Sequence, residues 1–563
     1  MAESSDKTKE SAAAGSQTSP RPWRLQRTIL ALVLSAGAAG SAAAAYSWHW
    51  AWPGILVTLA LAFAATEGQS RGRTFLLGWL TGTLLYLMGF TWILQTLREF
   101  GEMSWTLSIT GLLLFSISHG LAMGLWVLLV RLLMEWSSLG AWAAFPLVYL
   151  PIEHFFPALF PWQLGAPLQA MSAFAQISDM TGAAGLTFFA ALVSGAGIDL
   201  WQAARKPRES TAQATIRPAR PWLGAAVAAA MLLAGTVYGL LRIAQFERIQ
   251  KRAIEEGRIV RVGIVQPNIG SFEKEDAGKL EDQISRLNRL SRQAADKGAQ
   301  LVLWPETALQ MVLDRDEVER EARGDRSDPP VMPRDMMFHD AALLAGGLVE
   351  RFRKNKESDT YNAALLITPD GRIAGVTYKV ALLWFGERLP FSRKFPKLKK
   401  WFPNAGDLTP GKKPRVLSWY GVRIGVLICY EDILSDRVRQ VAKDEPFFLA
   451  NLTNDSWFGR SREPSQHLRL AALRAIEARR TLIRSTNTGK SAFIGPTGRI
   501  VRQTGIFEQA VLVQDVALLK GQTFFVRFGP WLVWLCLGLA LVAVVIPLAR
   551  RSRSHQDKEE TSQ

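Results

Sequence analysis

The chain has 563 residues, 48% hydrophobic and 20% charged, with 20 tryptophans and a formal net charge of +17. That mixture excludes a uniform soluble globule and points to membrane spans joined to a soluble part, with an anionic membrane surface or a nucleic acid as the polyanion such a charge would meet. The two cysteines, Cys429 and Cys536, offer neither a disulfide framework nor a metal site.

Residues 1–23 are polar and read as a disordered cytoplasmic tail. Apolar runs follow at 29–45, 50–65, 74–97, 107–133, 141–159, 180–201 and 222–243, with one more at 528–548. About 20 mainly apolar residues cross a bilayer, so the pattern predicts an α-helical transmembrane bundle of about eight spans. Seven precede a polar middle and one follows it. Small residues at 41–45 leave a cleaved signal peptide as the alternative reading of the first run. The fifth run, with Pro151, Glu153 and His154, is the least span-like. Residues 160–171 carry no charge and read as an interfacial loop between spans.

Positive charge orients the bundle. Lys7, Lys9, Arg21, Arg24 and Arg27 lie in the first tail, Arg71 and Arg73 in the second-to-third connection, and Arg205, Lys206, Arg208, Arg217 and Arg220 in the sixth-to-seventh. Arg550, Arg551, Arg553 and Lys558 lie in the last tail, whereas 98–106 hold only Arg98 and 160–179 hold no Lys or Arg. The expectation is two cytoplasmic termini, a seven-span region at 24–243, an outward domain at 244–522, a final helix at 523–549 and a tail at 550–563. In a bacterium the outward face is the periplasmic side of the inner membrane.

The outward segment changes character. β-rich runs occur at 259–266, 301–303, 341–348, 363–368, 372–379, 415–419, 422–428 and 447–451, then as short strands to about 516. Helical spacing marks 279–297 and 466–480, and the acidic stretch 314–328 reads as mobile. Gly371, Gly421 and Gly498 mark turns. Strands interleaved with helices predict a layered α/β domain, and some 280 residues is ample for one core.

Three of these strands end in one reactive side chain each. LVLWPE ends at Glu306, IAGVTYK at Lys379 and VLIC at Cys429. Strand tips in a layered α/β domain converge on one edge, where sites form. There a carboxylate takes the thiol proton, an ammonium favours the thiolate and an oxyanion, and the sulfur attacks a carbonyl. The backbone N–H of Tyr430 is a candidate second oxyanion donor. Each residue has a competing structural reading: a buried inert cysteine, a helix-capping or surface glutamate, a solvated lysine.

WPE at 304–306, YK at 378–379, GERLP at 386–390 and CYED at 429–432 occur in the order of the Glu-Lys-Cys signatures of the nitrilase (carbon–nitrogen hydrolase) superfamily. TNDSWFG at 453–459, a helix carrying Gln466 and His467, and RSTNTGKSAFIGPTGRI at 484–500 extend that resemblance. Set between membrane spans, the chain resembles the membrane-bound branch of that superfamily, the apolipoprotein N-acyltransferase family. The resemblance implies an extracytoplasmic αββα sandwich and a ping-pong reaction with no cofactor. Cys429 would take a fatty acyl chain from a phospholipid as a thioester, then pass it to the α-amino group of a diacylglyceryl-cysteine on an apolipoprotein. Glu306, Lys379 and Cys429 fall on the catalytic positions. Glu387, Tyr430 and Glu431 fall on positions important in the family. Glu387 would orient Lys379 or the incoming amine, with a surface salt bridge as its alternative. Trp384 and Trp457 are the candidate substrate contacts, and a monomer is expected. Residues 314–340 match no motif.

Residues 381–403 mix Trp384, Phe385, Phe391, Phe395, Trp401 and Phe402 with Arg393, Lys394, Lys397, Lys399 and Lys400. Such a stretch suits a lid lying on a bilayer, rings in the interface and cations on lipid phosphates. It also resembles a single-strand nucleic-acid surface, which an outward-facing domain would rarely meet. Two other functions compete: a membrane-anchored amidase or nitrilase with water as acceptor, and a non-catalytic transporter or scaffold. The six histidines are scattered and no His-Glu-x-x-His or Gly-x-Ser-x-Gly is present, so the pattern favours neither metal catalysis nor a serine hydrolase.

Overall fold

A computed structural model describes residues 22–205, 220–270, 273–274, 276–325, 331, 341–352, 358–392, 394–401 and 405–560. The expected disordered tail lies outside the described residues except at its last two positions, as do most of 326–340 and the basic residues 206–219.

Thirteen described strands build the α/β domain: β1 Ile259–Gln266, β2 Leu301–Leu303, β3 Leu309–Asp314, β4 Ala342–Phe352, β5 Ser358–Ile367, β6 Ile373–Tyr378, β7 Val416–Trp419, β8 Val422–Ile428, β9 Phe448–Thr453, β10 Leu482–Thr486, β11 Ala492–Ile494, β12 Ile500–Gln503 and β13 Ala510–Ala517. They form two sheets, ordered β13-β1-β2-β4-β5-β6 with β3 beside β4, and β12-β11-β10-β9-β8-β7. Alternation along each strand sorts the side chains. Val260, Val262, Ile264, Leu301 and Leu303 of the first sheet meet Ile424, Val426, Ile428, Phe448 and Ala450 of the second in one core. The opposite faces pack on helices. Leu287, Leu290 and Ala294 of helix Leu280–Asp296 cover Val302, Leu343 and Leu365. Val438 and Val441 of helix Ser435–Lys443, with Leu468 and Ala471 of helix Glu463–Ala478, cover Leu427, Leu449 and Leu482. Helix, sheet, sheet, helix is the αββα order expected. Strands buried on both faces read as unbroken apolar runs, which is why VLI at 426–428 shows no alternation.

Of the eight expected spans, five are single helices long and apolar enough to cross a bilayer: Leu25–Ser47, Trp105–Ser137, Ala184–Ala204, Trp222–Glu255 and Trp531–Ala549. The third run is a pair, Arg71–Gly89 and Trp92–Glu99, bent by 60°. The second is the shorter apolar helix His49–Ala64, whose first turn is 3-10 and holds Pro53. The fifth, Ala141–Phe155, has 15 residues and two prolines, so it reaches only about 22 Å at 1.5 Å per residue. Its N-terminal donors are capped from a neighbour: Asp199 accepts from Ala141 N at 2.9 Å and Trp142 N at 3.1 Å. Helices Arg71–Gly89 and Trp105–Ser137 cross at small residues, as membrane helices do. A Cβ on Gly82 would lie 2.6 Å from the Gly120 carbonyl oxygen. The small residues of the first run are buried in the bundle, with Ala38, Ala39 and Ala42 fully covered.

Two expectations change, and one strand is added. The stretch 160–171 is largely a seam filler: Leu164, Ala166 and Leu168 are buried against the bundle core, and Gln163 Oε1 accepts from Arg474 Nη2 at 2.9 Å. The acidic stretch from 314 begins as a helix, Arg315–Ala322, because its charges pair at helical spacing. Arg315 meets Glu319 at 2.8 Å, and Asp314 caps the start by accepting from Glu317 N at 3.0 Å. Strand β3 ahead of it was not foreseen.

Helix Glu463–Ala478 joins the two parts. One face packs on the sheet, and Leu470, Leu473 and Ile476 on the other face join the bundle core.

Candidate active site

β2 runs into Trp304-Pro305-Glu306, and the WPE turn needs room. Gly346 of β4 supplies it: a Cβ there would sit 2.6 Å from Glu306 Cα. Lys379 follows β6 and its backbone N–H still donates to Asn362 O at 2.8 Å, so the side chain is fixed to the sheet edge. Lys379 Nζ donates to Glu306 Oε1 at 3.0 Å and to Glu387 Oε1 at 2.8 Å. Asn362 Nδ2 donates to the same two oxygens, at 2.7 and 3.2 Å. Glu387 Oε2 accepts from Leu383 N at 2.8 Å, closing its own loop. Lys379 is 1% exposed and Glu306 6%. One ammonium between a buried and a half-buried carboxylate is an uneven set, able to lend or take a proton.

Cys429 ends β8 and starts a 3-10 turn, Cys429–Ile433. Its φ is 55°, a left-handed conformation that a side chain adopts only under constraint. Three groups supply the constraint. Glu431 accepts from Ile428 N at 3.0 Å, and from Val380 N and Ala381 N at 2.8 and 2.9 Å. It thus bolts the cysteine turn to the segment following Lys379. Asn451 Nδ2 donates to the Cys429 carbonyl at 2.8 Å, and Tyr430 OH donates to Leu382 O at 3.1 Å. Burial pushes the Cys429 thiol well up, helped by the charge of Glu306, while Lys379 and a hydrogen bond from Thr453 pull it back. For Lys379 burial acts to lower the pKa, but Cys429 once it ionises, together with Glu306 and Glu387, outweighs burial and raises it well above the ordinary value. The resting site therefore holds a neutral thiol beside a fixed ammonium. Burial also raises the Glu431 carboxyl, against its three backbone donors.

Behind the turn lies a second charge cluster. Asp432 accepts from His467 Nε2 and from Arg484 Nη1, both at 2.6 Å. Arg484 Nη2 spans both oxygens of Asp455 at 2.9 and 3.0 Å, and Nη1 also reaches Asn451 Oδ1 at 3.1 Å. His467 Nδ1 faces Glu463 at 3.3 Å. Burial and Arg484 act to lower His467, yet Asp432 and Glu463 carry it to about 9. Burial acts to raise Asp432, but His467 and Arg484 hold it below the usual range. Asp455, Glu463 and His467 offer donor atoms within 4.8 Å of one another, a spacing a metal ion can use. Here the Arg484 guanidinium already sits on both Asp455 oxygens, so the cationic place beside that carboxylate is taken.

The structure thus brings Glu306, Lys379, Glu387, Tyr430 and Glu431 around the Cys429 turn. Glu387 is an inward partner of Lys379, not a surface ion pair. The two tryptophans stand apart. Trp384 is 55% exposed in the aromatic-basic arm, and Trp457 is 44% exposed with its ring 4.9 Å from Phe100. Asn362 and Asn451 were not foreseen as site residues, and Asp432, His467 and Arg484 stood only within the matching stretches, without an assigned role. A lone Asn inside the buried run YNAALLI of β5 was the legible signal for Asn362. The others needed the third dimension.

A sequence profile of the carbon-nitrogen hydrolase family matches residues 261–523, and one of the apolipoprotein N-acyltransferase N-terminal domain matches 35–196. A Geobacter metallireducens protein named apolipoprotein N-acyltransferase is 30% identical over 499 residues, covering 86% of this chain and 89% of the relative. One of the same name from Bdellovibrio bacteriovorus is 31% identical over 516 residues, covering 88% and 89%. Among solved structures, an amidase from Nesterenkonia sp. aligns at 20% identity and a TM-score of 0.33, over 46% of this chain and 90% of that one. The chain belongs to the apolipoprotein N-acyltransferase family.

Proposed function

We propose that this chain N-acylates lipoproteins through a thioester on Cys429, with Glu306, Lys379 and Cys429 as its catalytic residues. The observation that carries the assignment is the bifurcated ammonium of Lys379, held by Glu306 and Glu387 beside a thiol in a strained turn. In the first half-reaction Glu306 takes the thiol proton and the sulfur attacks a phospholipid ester carbonyl. Lys379 steadies the oxyanion, with the Tyr430 N–H as a second donor. The acyl–oxygen bond breaks, and the lysophospholipid leaves with the proton that Glu306 returns. In the second, the α-amine of a diacylglyceryl-cysteine attacks the thioester. Glu306 accepts the amine proton, and the sulfur departs and regains it. Glu387 keeps Lys379 from pairing with Glu306 alone and lies near the path of the amine. The printed names of the relatives support the lipoprotein acceptor; the chemistry of a membrane-borne acyl ester supports the phospholipid donor.

The distribution of Lys and Arg supports cytoplasmic termini, an outer catalytic domain at about 244–522, and the bundle at 24–243 closed by a final helix. The protein acts as a monomer in the inner membrane, with both termini inside. The arm from Ala381 exposes Trp384, Phe385, Phe391 and Phe395 beside Lys394, Lys397 and Lys399. It rests on the lipid surface, with Trp384 and Trp457 at the substrate approach. Phospholipid carrying a labelled acyl chain tests the whole reading. Label should appear on Cys429 as a mass adduct, then on the peptide amine. Free labelled fatty acid as the sole product would make the protein a hydrolase, and Cys429→Ala with full function would remove catalysis from the site altogether.

A further inference from the structure

The nucleophile's left-handed backbone has to be held, and the second charge cluster holds it at two points. Arg484 reaches Asn451, whose Nδ2 fixes the Cys429 carbonyl at 2.8 Å. Arg484 and His467 together grip Asp432, three residues further along the same turn. The grip rests on rigid supports. Arg484 is in β10, Asn451 in β9 and His467 on helix Glu463–Ala478, and the parallel register Ile428↔Leu452 and Ser485↔Leu452 sets β8, β9 and β10 side by side. Asp432, His467 and Arg484 are at most 3% exposed, so water competes for none of these bonds. Glu463 and Asp455 complete the network, leaving three carboxylates facing an imidazolium and a guanidinium.

We infer that Asp432, His467 and Arg484 are positioning residues: they set the direction of the Cys429 sulfur by clamping its turn from behind, without touching substrate. This rests on Cys429 being the nucleophile, as proposed above. A sulfur displaced by about 1 Å reacts some 100-fold more slowly even when the lipid still binds. The clamp therefore has a kinetic signature that a purely structural role lacks.

The full-length protein in detergent, supplied with phospholipid labelled in the acyl chain, provides the test. Acylation is counted per folded molecule recovered from gel filtration. Asp432→Asn keeps the side-chain shape and loses the charge; His467→Gln removes the other half of the contact. Each should lower the acylation rate by about 100-fold while KM for phospholipid stays within about two-fold. The double variant should be no slower than the slower single, because the pair works as one unit. Wild-type rates per folded molecule, with only the melting temperature lowered, would overturn the inference. Should Asp432→Asn fail to fold, Asn451→Ser cuts the arm that runs from Arg484 through Asn451 to the Cys429 carbonyl and leaves Asp432 and His467 in place, and the same drop is expected. A wild-type rate in that variant would overturn the inference equally. Cys429→Ser separates the two ideas: label transfer at the wild-type rate in that variant sinks the thioester reading itself, whatever the clamp variants do.

Discussion

Two buried charge clusters flank one cysteine, and they are built differently. In front, Lys379 is shared by Glu306 and Glu387, two carboxylates for one fixed cation, and the neighbouring thiol stays neutral at rest. Behind, a guanidinium and an imidazolium are shared by three carboxylates through short, partly bidentate contacts. Both pay for desolvation with ion pairing, but only the front one leaves a proton with somewhere to go. The front set is arranged to move charge and the rear set to keep it still. Burial alone does not distinguish the two clusters, and each carries one carboxylate in excess; what sets the front one apart is the thiol beside it, from which a proton can come.

Glu306→Gln is the sharpest way to break that contrast. The amide still accepts from Lys379 and Asn362, so the fold persists, while thioester formation should fall by about 10²–10⁴-fold in rapid-quench labelling. An unchanged rate would take Glu306 out of the proton transfer. At the rear, Arg484→Met takes the guanidinium from both oxygens of Asp455 and leaves Asp432 with His467 alone. The expected cost is roughly 3–5 kcal/mol, read from unfolding in detergent, and Arg484→Lys should recover only part because it cannot span both carboxylates. Asn362→Leu removes a donor that serves both front carboxylates and should cost about 1–3 kcal/mol of stability, with acylation slowed alongside.

Acidity separates the clusters further. The folded pKa of His467 is raised to about 9, above the usual value of about 6.5 for histidine. Its contribution to stability is therefore complete below about pH 6.5 and is lost as pH rises through about 9. The melting temperature should fall between pH 7 and 10, and His467→Gln should flatten that slope. A wild-type slope in the variant would exclude His467 as its source. In front the sign concerns reactivity: with the thiol pushed up by burial, alkylation of Cys429 should be slow near neutrality and accelerate with pH. The smallest effect belongs to the arm. Trp384→Ser with Phe391→Ser should slow acylation several-fold on vesicles and leave stability unchanged, since both rings are exposed. Equal rates on vesicles would dissociate the arm from the lipid.

Much of the α/β domain was legible in the chain. β8 occupies the predicted 422–428, and helix Leu280–Asp296 lies inside the predicted 279–297, because burial against a layer imposes its period on local sequence. The spans were harder to delimit. A run of apolar residues reports affinity for lipid but not a break in the backbone, so the 60° bend after Gly89 could not be read from hydropathy, whereas Pro151, Glu153 and His154 had marked the fifth run, the short helix at Ala141, as the least span-like. The acidic stretch beginning at 314 misled for a related reason: charge suggests solvent, yet at a spacing of four it builds a helix.

The chain by itself determined which chemistry was available, since the thiol, the amine and the carboxylate each close a distinct apolar strand, and a strand buried on both faces has to be written in apolar residues. Tertiary structure alone decided the company those groups keep. Asn362 bridges two acids, Asn451 ties down the Cys429 carbonyl, and Asp432 meets His467 and Arg484 across 35 and 52 positions of chain. A hydrogen bond depends on distance and angle in space, and no local periodicity encodes a contact between residues so far apart.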